Sequence, residues 1–535
     1  MSHIGKSPCD EGAVLYGAET SPRPRAAQRW TLVAAVLGSS MAFLDGTVVN
    51  VALPAIQRDL QATASQAQWV IESYSLFLAA LLLVGGSLGD RFGRRRIFVT
   101  GVALFTIAAA GCAFAVSAGQ LIAARAVQGI GAALLVPGSL ALISATFPQS
   151  QRGQAIGTWS AFSGIAAAVG PVLGGFLVDH YSWTWAFLIN LPIGAILIAL
   201  CVVKVPENRA TQAQQPGLDF WGASFATIGL AGVVFAFIEA PNLGWTAAPV
   251  ASAGLGGVLA LALFVVVEAR SRSPMLPLSL LRIRNFAGAN LLTLLLYAAL
   301  GGGLYFFPLN LIQVQGYSAA AAGAALLPFI VIMFLLSRWA GKLVDRFGPR
   351  LPLVAGPLIA AAGFALFTLP AIGGPYWSTF LPAVSILGLG MAVTVAPLTT
   401  TVMNSVGSEL AGLASGVNNA VSRAGALLSI AVFGVVMSGA FNPALERGIS
   451  ALDLPPALQR GIEEQRQRLA AITVPPQVDA KTAESIKLAV GEAFIAGFRR
   501  VMLVCAALAL LSALSAAAWI RSESRSPAQR RPVKP

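Results

Sequence analysis

Two charged residues stand deep inside apolar stretches. Asp45 lies in Leu44-Asp45-Gly46-Thr47-Val48-Val49-Asn50-Val51-Ala52-Leu53-Pro54, and Arg125 in Leu121-x3-Arg125-x2-Gln128-Gly129-x-Gly131-Ala132-Ala133. A bare guanidinium at the middle of a membrane helix costs at least about 2.5–3.5 kcal/mol, so a partner or a wet cavity is required. At about 1.5 Å per residue, Asp45 falls roughly 12 Å and Arg125 roughly 8 Å below the outer helix ends. These depths are compatible and predict a pair. Two chemistries fit it: a static ion pair locking two helices, or a carboxylate that changes partners when it takes a proton.

Three further charges bear on the same question. Glu72, in Trp69-Val70-Ile71-Glu72-Ser73-Tyr74, falls about one turn into its apolar run, where it is a second proton or cation site or an interfacial carboxylate in water. Arg423, in Asn418-Asn419-Ala420-Val421-Ser422-Arg423, falls near mid-membrane in the thirteenth run, and no acid lies in the long apolar parts of runs nine to fourteen. It is read as lining a substrate cavity with Asn418, Asn419, Asn50 and Gln128 as polar companions, or else as bound by helix-end carbonyls. Glu239 and Glu268, at helix ends, are read as surface groups.

Other chemistries lack their residues. The only histidines are His3 and His180, and Cys9, Cys112, Cys201 and Cys505 are far apart, so no metal site, disulfide framework or Ser/His arrangement is expected. No G-x-x-x-x-G-K-[ST] string supports ATP binding through a P-loop. The chain is therefore expected to be no enzyme and to need no cofactor or metal. If it moves something, an ion gradient or the substrate's own gradient must drive it.

The elements that hold these residues follow from composition. Of 535 residues 56% are hydrophobic and only 11% charged, against about 25% charged in soluble domains. Apolar runs fall at about 30–53, 69–88, 97–117, 120–142, 156–178, 186–203, 219–239, 248–268, 286–312, 319–341, 351–370, 378–399, 412–438 and 493–519. They predict an all-α polytopic membrane protein with fourteen helices. The net charge of +13 does not point to nucleic acid, because the basic residues sit in short breaks between apolar runs. Clusters such as Arg91/Arg94/Arg95/Arg96 and Arg270/Arg272/Arg282/Arg284 fall in the even-numbered loops and tails, while the short odd-numbered loops hold Arg58. That bias predicts both termini in the cytoplasm and a retained first span after the 29-residue tail.

An internal repeat sets the plan. Gly86-Ser-Leu-Gly-Asp90-Arg91-Phe-Gly93-Arg94-Arg95-Arg96 returns 255 residues later as Gly341-Lys-Leu-Val-Asp345-Arg346-Phe-Gly348-Pro-Arg350. The expected domains are a tail over 1–29, a six-helix bundle over 30–204, a linker with two inserted helices over 205–285, a second bundle over 286–519 and a basic tail over 520–535. The second bundle carries a long exterior loop over about 440–492.

The 86–98 loop, the Arg125 motif, the Asp45 segment and Gly157-x8-Ala166-x3-Gly170-Pro171-x2-Gly174-Gly175 together resemble motifs of the major facilitator superfamily, specifically its fourteen-span drug:proton antiporter branch. Trp183-x-Trp185-x-Phe187-x2-Asn190-x-Pro192-x-Gly194 fits the same branch, whereas Ala166 departs from the longer antiporter motif, which has Gly there. The resemblance implies two six-helix bundles about a pseudo-twofold axis, with alternating access between them. It also implies a conformational latch at Gly86, Asp90, Arg91, Gly93, Arg94, Asp345 and Arg346, and an antiporter hinge at Gly170, Pro171, Gly174 and Gly175. Proton coupling is expected at Asp45, Arg125 and Glu72.

The expected function is proton-coupled export of small lipophilic or amphipathic compounds across the cytoplasmic membrane. With two arginines set against few membrane carboxylates, neutral, zwitterionic or weakly anionic compounds are expected to be favoured over dications. The alternatives are a facilitator or uptake permease of the same fold, or a membrane sensor or partner. The 440–492 loop could touch a periplasmic adaptor if the cell has two membranes.

Overall fold

The computed structural model describes residues 24–207, 219–271, 274–406 and 411–521. The expected tails lie largely outside that range, as do residues 208–218 and 272–273 of the expected 205–285 linker. Among the described residues fourteen apolar helices run back and forth. They are α1 (Arg25–Asp59), α2 (Ala64–Phe92), α3 (Arg94–Ala113), α4 (Ala118–Thr146), α5 (Gln149–His180), α6 (Asn190–Lys204), α7 (Phe220–Leu243), α8 (Ala248–Arg270), α9 (Arg284–Leu309), α10 (Leu327–Phe347), α11 (Arg350–Leu366), α12 (Leu381–Asn404), α13 (Ala411–Ser450) and α14 (Ala480–Trp519). Twelve segments have the length and hydropathy of a membrane span, the bent α2 makes a thirteenth, and α11 is a shorter apolar helix of 17 residues. The chain is a multi-pass membrane protein.

Helices α1–α6 pack on one another, as do α9–α14, while α7 lies along the seam between α2 and α13 and carries α8 on its outer side. Leu76, Val234, Ile238, Leu427 and Ala431 seal that seam. The face of α8 turned away from it exposes Leu255, Val258, Leu259 and Val266, as suits lipid contact. With an even number of spans, both described chain ends share one face, the terminal face; the opposite, distal face carries the 440–492 segment.

Several boundaries differ from expectation for identifiable reasons. Thr63 forms a capping box with Gln66, which starts α2 at Ala64 and places Glu72 deeper than a one-turn reading. The helix then bends by 53° between Leu82 and Val84. The tenth run is broken into Ala319–Ala324 and α10, with Pro328 at the start of α10 supplying no backbone donor. The expected exterior loop is mostly helical: α13 continues to Ser450, a short helix covers Pro456–Glu464, and α14 begins at Ala480. Ile462 and Leu469 are buried, so this segment folds back on the bundle.

Glu268 is not a surface group: it is only 3% exposed, because the chain after α8 turns back and Leu276 N donates to its Oε2 at 2.9 Å. Glu239 is half-buried and accepts from Trp69 Nε1 at 3.1 Å, tying α7 to α2.

Candidate functional site

Asp45 and Arg125 meet in the middle of the first bundle. Arg125 Nη1 donates to Asp45 Oδ2 at 2.6 Å, with both side chains at most 1% exposed. Gln128 Nε2 and Asn190 Nδ2 donate to Asp45 Oδ1 at 2.9 and 3.1 Å. Arg125 Nε reaches Val70 O at 3.0 Å, and Nη1 also bonds Gln128 Oε1 at 2.7 Å. Arg125 and Asp45 together thus join four helices: Arg125 of α4 reaches α1 and α2, and Asp45 of α1 reaches α4 and α6. Such a charge-assisted, many-donor site is the arrangement that makes a buried pair tolerable. The Arg125 guanidinium also lies 4.2 Å from the centroid of Tyr74 and 5.8 Å from that of Phe187.

Glu72 is fully buried and neither carboxylate oxygen has a hydrogen-bond partner among the described residues. The interfacial reading of Glu72 is therefore replaced by a closed position, because the capping box at Thr63 lengthens the helix ahead of it.

Between the bundles lies a cavity of about 240 Å³ walled by α1, α2, α4 and α13. Arg423 lines it with Phe43, Thr47, Tyr74 and Ser75. Its Nε is held by Asn419 Oδ1 at 3.0 Å. The other residues read as cavity-lining are placed elsewhere. Gln128 belongs to the Asp45–Arg125 group, Asn418 bonds Asn290 Oδ1 and Thr293 Oγ1 on α9 at 3.0 and 2.8 Å, and Asn50 Nδ2 bonds Gly46 O at 3.3 Å.

The antiporter motif sits where α5 meets two partners. A β-carbon on Gly174 would fall 2.8 Å from Val48 Cγ1, and one on Gly170 would run into Thr47, so both glycines let α5 approach the Asp45 stretch of α1. Gly175 and Pro171 face the Ala319–Ala324 helix of the other half at backbone contact. One turn beyond Gly175, Asp179 accepts from Ala319 N and Ala320 N at 3.0 and 2.9 Å. Gln313 Nε2 to Gln57 Oε1, 2.8 Å, and Arg468 Nη1 to Gln61 Oε1, 2.7 Å, add to the closure of the distal face.

At the terminal face, Asp90 Oδ1 accepts from Arg94 Nε and Nη2, both at 2.8 Å. Gly93 has a φ of +111°, and a β-carbon there would fall 2.8 Å from Glu207 Oε1. Glu207 accepts from the backbone of Arg95 and Arg96 at 3.1 and 3.2 Å, an anion seated on the start of α3. Gly86 lies 3.8 Å, through its virtual β-carbon, from Pro137. Arg91 and Arg346 are exposed and each lies near the ring that follows it, Phe92 and Phe347. In the second copy Gly348 repeats the positive φ, at +72°; the Asp345 side chain lies outside the described residues. Sequence reasoning missed Glu207, Asp179 and Tyr74. The first two act on distant backbone, which leaves no local pattern, whereas Tyr74 lies one turn beyond Val70, whose carbonyl Arg125 reaches, on the same face of the second helix.

The sequence profile of the Major Facilitator Superfamily matches residues 35–430. The chain belongs to this superfamily, whose members are transporters and not enzymes. It is 34% identical over 503 residues to the multidrug resistance protein Stp of Mycobacterium tuberculosis, covering 92% of this chain and 91% of that one. It is 33% identical over 486 residues to the tetracenomycin C resistance and export protein of Streptomyces glaucescens, covering 90% of each. With the methylenomycin A resistance protein of Streptomyces coelicolor it shares 37% over 430 residues, 79% and 89% of the two chains. Among solved structures, a bacterial homologue of the human lysosomal transporter Spinster, in an inward-facing and unoccupied conformation, superposes with a TM-score of 0.60 at 19% identity, covering 94% of this chain and all of that one. That likeness concerns the fold.

Proposed function

We propose that the chain is a proton-coupled multidrug efflux antiporter that exports small lipophilic or amphipathic compounds across the cytoplasmic membrane by alternating access. The resistance and export proteins it resembles support the efflux direction, as does the intact Gly170-Pro171-x2-Gly174-Gly175 hinge. The observation that carries proton coupling is Asp45, a fully buried carboxylate whose three side-chain donors come from α4 and α6.

Both termini face the cytoplasm in this reading, so the distal face is the exterior and the described state is closed to it. For release, α5 leaves the Ala319–Ala324 helix and Asp179 gives up its two backbone donors. A proton entering from outside then neutralises Asp45 and weakens its hold on Arg125. Glu72, enclosed without a partner, is the second position that takes up a proton. The loop from Asp90 to Arg94, with Arg91 and the second copy at Asp345 and Arg346, latches the cytoplasmic ends when the exterior opens.

Expression in an efflux-deficient bacterial host tests the direction of transport. Lower steady-state accumulation of a lipophilic dye, restored by a protonophore, is expected. Raised accumulation would instead favour an uptake permease.

A further inference from the structure

The wall of the 240 Å³ cavity carries one kind of charge. Arg423 is its charged side chain, and no carboxylate lines it among the described residues. Asp45, next in sequence to the lining residue Gly46, is 0% exposed and occupied by Arg125, Gln128 and Asn190. Asn419 fixes the Nε edge of Arg423, which holds the planar group in place. Tyr74 gives the cavity an aromatic wall, and the Arg125 guanidinium behind that ring is already compensated by Asp45, so the charge facing the cavity is that of Arg423. An immobilised fork of donors beside apolar and aromatic surface matches a carboxylate or comparable oxyanion on a compact lipophilic body. A permanent cation would meet like charge with no counter-ion.

We infer that this cavity selects lipophilic compounds bearing a single anionic group, which Arg423 binds directly, over neutral analogues and against cations. The inference rests on the efflux reading for direction but on the cavity for chemistry.

Equilibrium binding to the purified full chain in nanodiscs tests it with one scaffold in three charge states: naphthylbutanoate, its methyl ester and naphthylbutyl trimethylammonium. The acid is expected to bind about tenfold or more tighter than the ester, the scale of one charge-assisted bond, with the cation weakest. Arg423→Gln is expected to bring acid and ester to about equal affinity, and Arg423→Lys to keep part of the difference. An unfolding temperature equal to that of wild type reports an intact fold. A cation that binds wild type as well as the acid, an acid-to-ester ratio untouched by Arg423→Gln, or no binding of any probe would each overturn the inference. Proton-driven export of the ester is read separately, so failure of the efflux reading leaves the charge ladder interpretable.

Discussion

The Tyr74 ring lies 4.2 Å from the Arg125 guanidinium and also lines the cavity that holds Arg423. One side chain therefore touches both the buried ion pair and the space between the bundles. A change in how tightly Asp45 holds Arg125 can reach the cavity through this ring, beside the α1 backbone at Gly46 and Thr47. Replacing Tyr74 with Leu is expected to leave the Asp45–Arg125 pair and insertion intact while weakening coupling, seen as dye counterflow that persists as pH-driven transport falls. Parallel loss of both activities would argue that the ring merely fills space.

Removing one member of the pair exposes its partner's charge. Breaking a buried pair from one side typically costs about 3–5 kcal/mol, so Arg125→Ala is expected to lower the unfolding temperature in detergent markedly. Asp45→Asn also leaves a charge without its counter-charge, but it keeps an oxygen for Arg125 and opens no cavity, so a smaller loss is expected. Equal losses in the two variants would contradict the network seen around Asp45.

The hinge motif makes a steric prediction. Because a β-carbon at Gly174 already falls 2.8 Å from Val48 Cγ1, Gly174→Leu is expected to force α5 off α1. The protein should insert but stop switching. Cysteine-accessibility labelling from each membrane side would then report one fixed pattern with or without substrate, and a normal substrate-dependent change would show that close approach at this point is dispensable.

Distal closure can be loosened without touching the ion pair. Asp179→Ala removes the acceptor of Ala319 N and Ala320 N, so a cysteine placed at Gln313 is expected to label faster from the exterior. The native Cys112, Cys201 and Cys505 are buried and give little background, and Cys9, outside the described residues, is replaced by serine in the parent. Labelling no faster than in the Asp179-intact parent would place the closing force elsewhere, in the 466–471 turn, because the Gln313→Cys parent already lacks the bond to Gln57.

How much of this was legible depends on whether the cause was local. Helix count and the pairing of Asp45 with Arg125 follow from hydropathy and depth, both of which are written along the chain. The extra donors from Gln128 and Asn190 are another matter: Gln128 lies one turn from Arg125, but Asn190 arrives from a sixth helix 145 residues beyond Asp45. Asp179 and Glu207 accept from backbone amides of helix starts, donors that any sequence supplies. Glu268 was misjudged because its position at a helix end suggests exposure, whereas the returning segment to Leu276 covers it. The 440–492 segment was read as a loop since its charges hide the continuation of α13 and the early start of α14.

The most direct measurement of the central claim is dye transport in proteoliposomes under an imposed pH gradient, comparing wild type with Asp45→Asn. The proposed mechanism predicts that wild type moves dye against its gradient as protons run down theirs. The Asn variant, inserted to the same level, should still exchange dye for dye but show no response to the pH gradient. Gradient-driven accumulation by Asp45→Asn at the wild-type rate would contradict the claim that Asp45 carries the coupling proton.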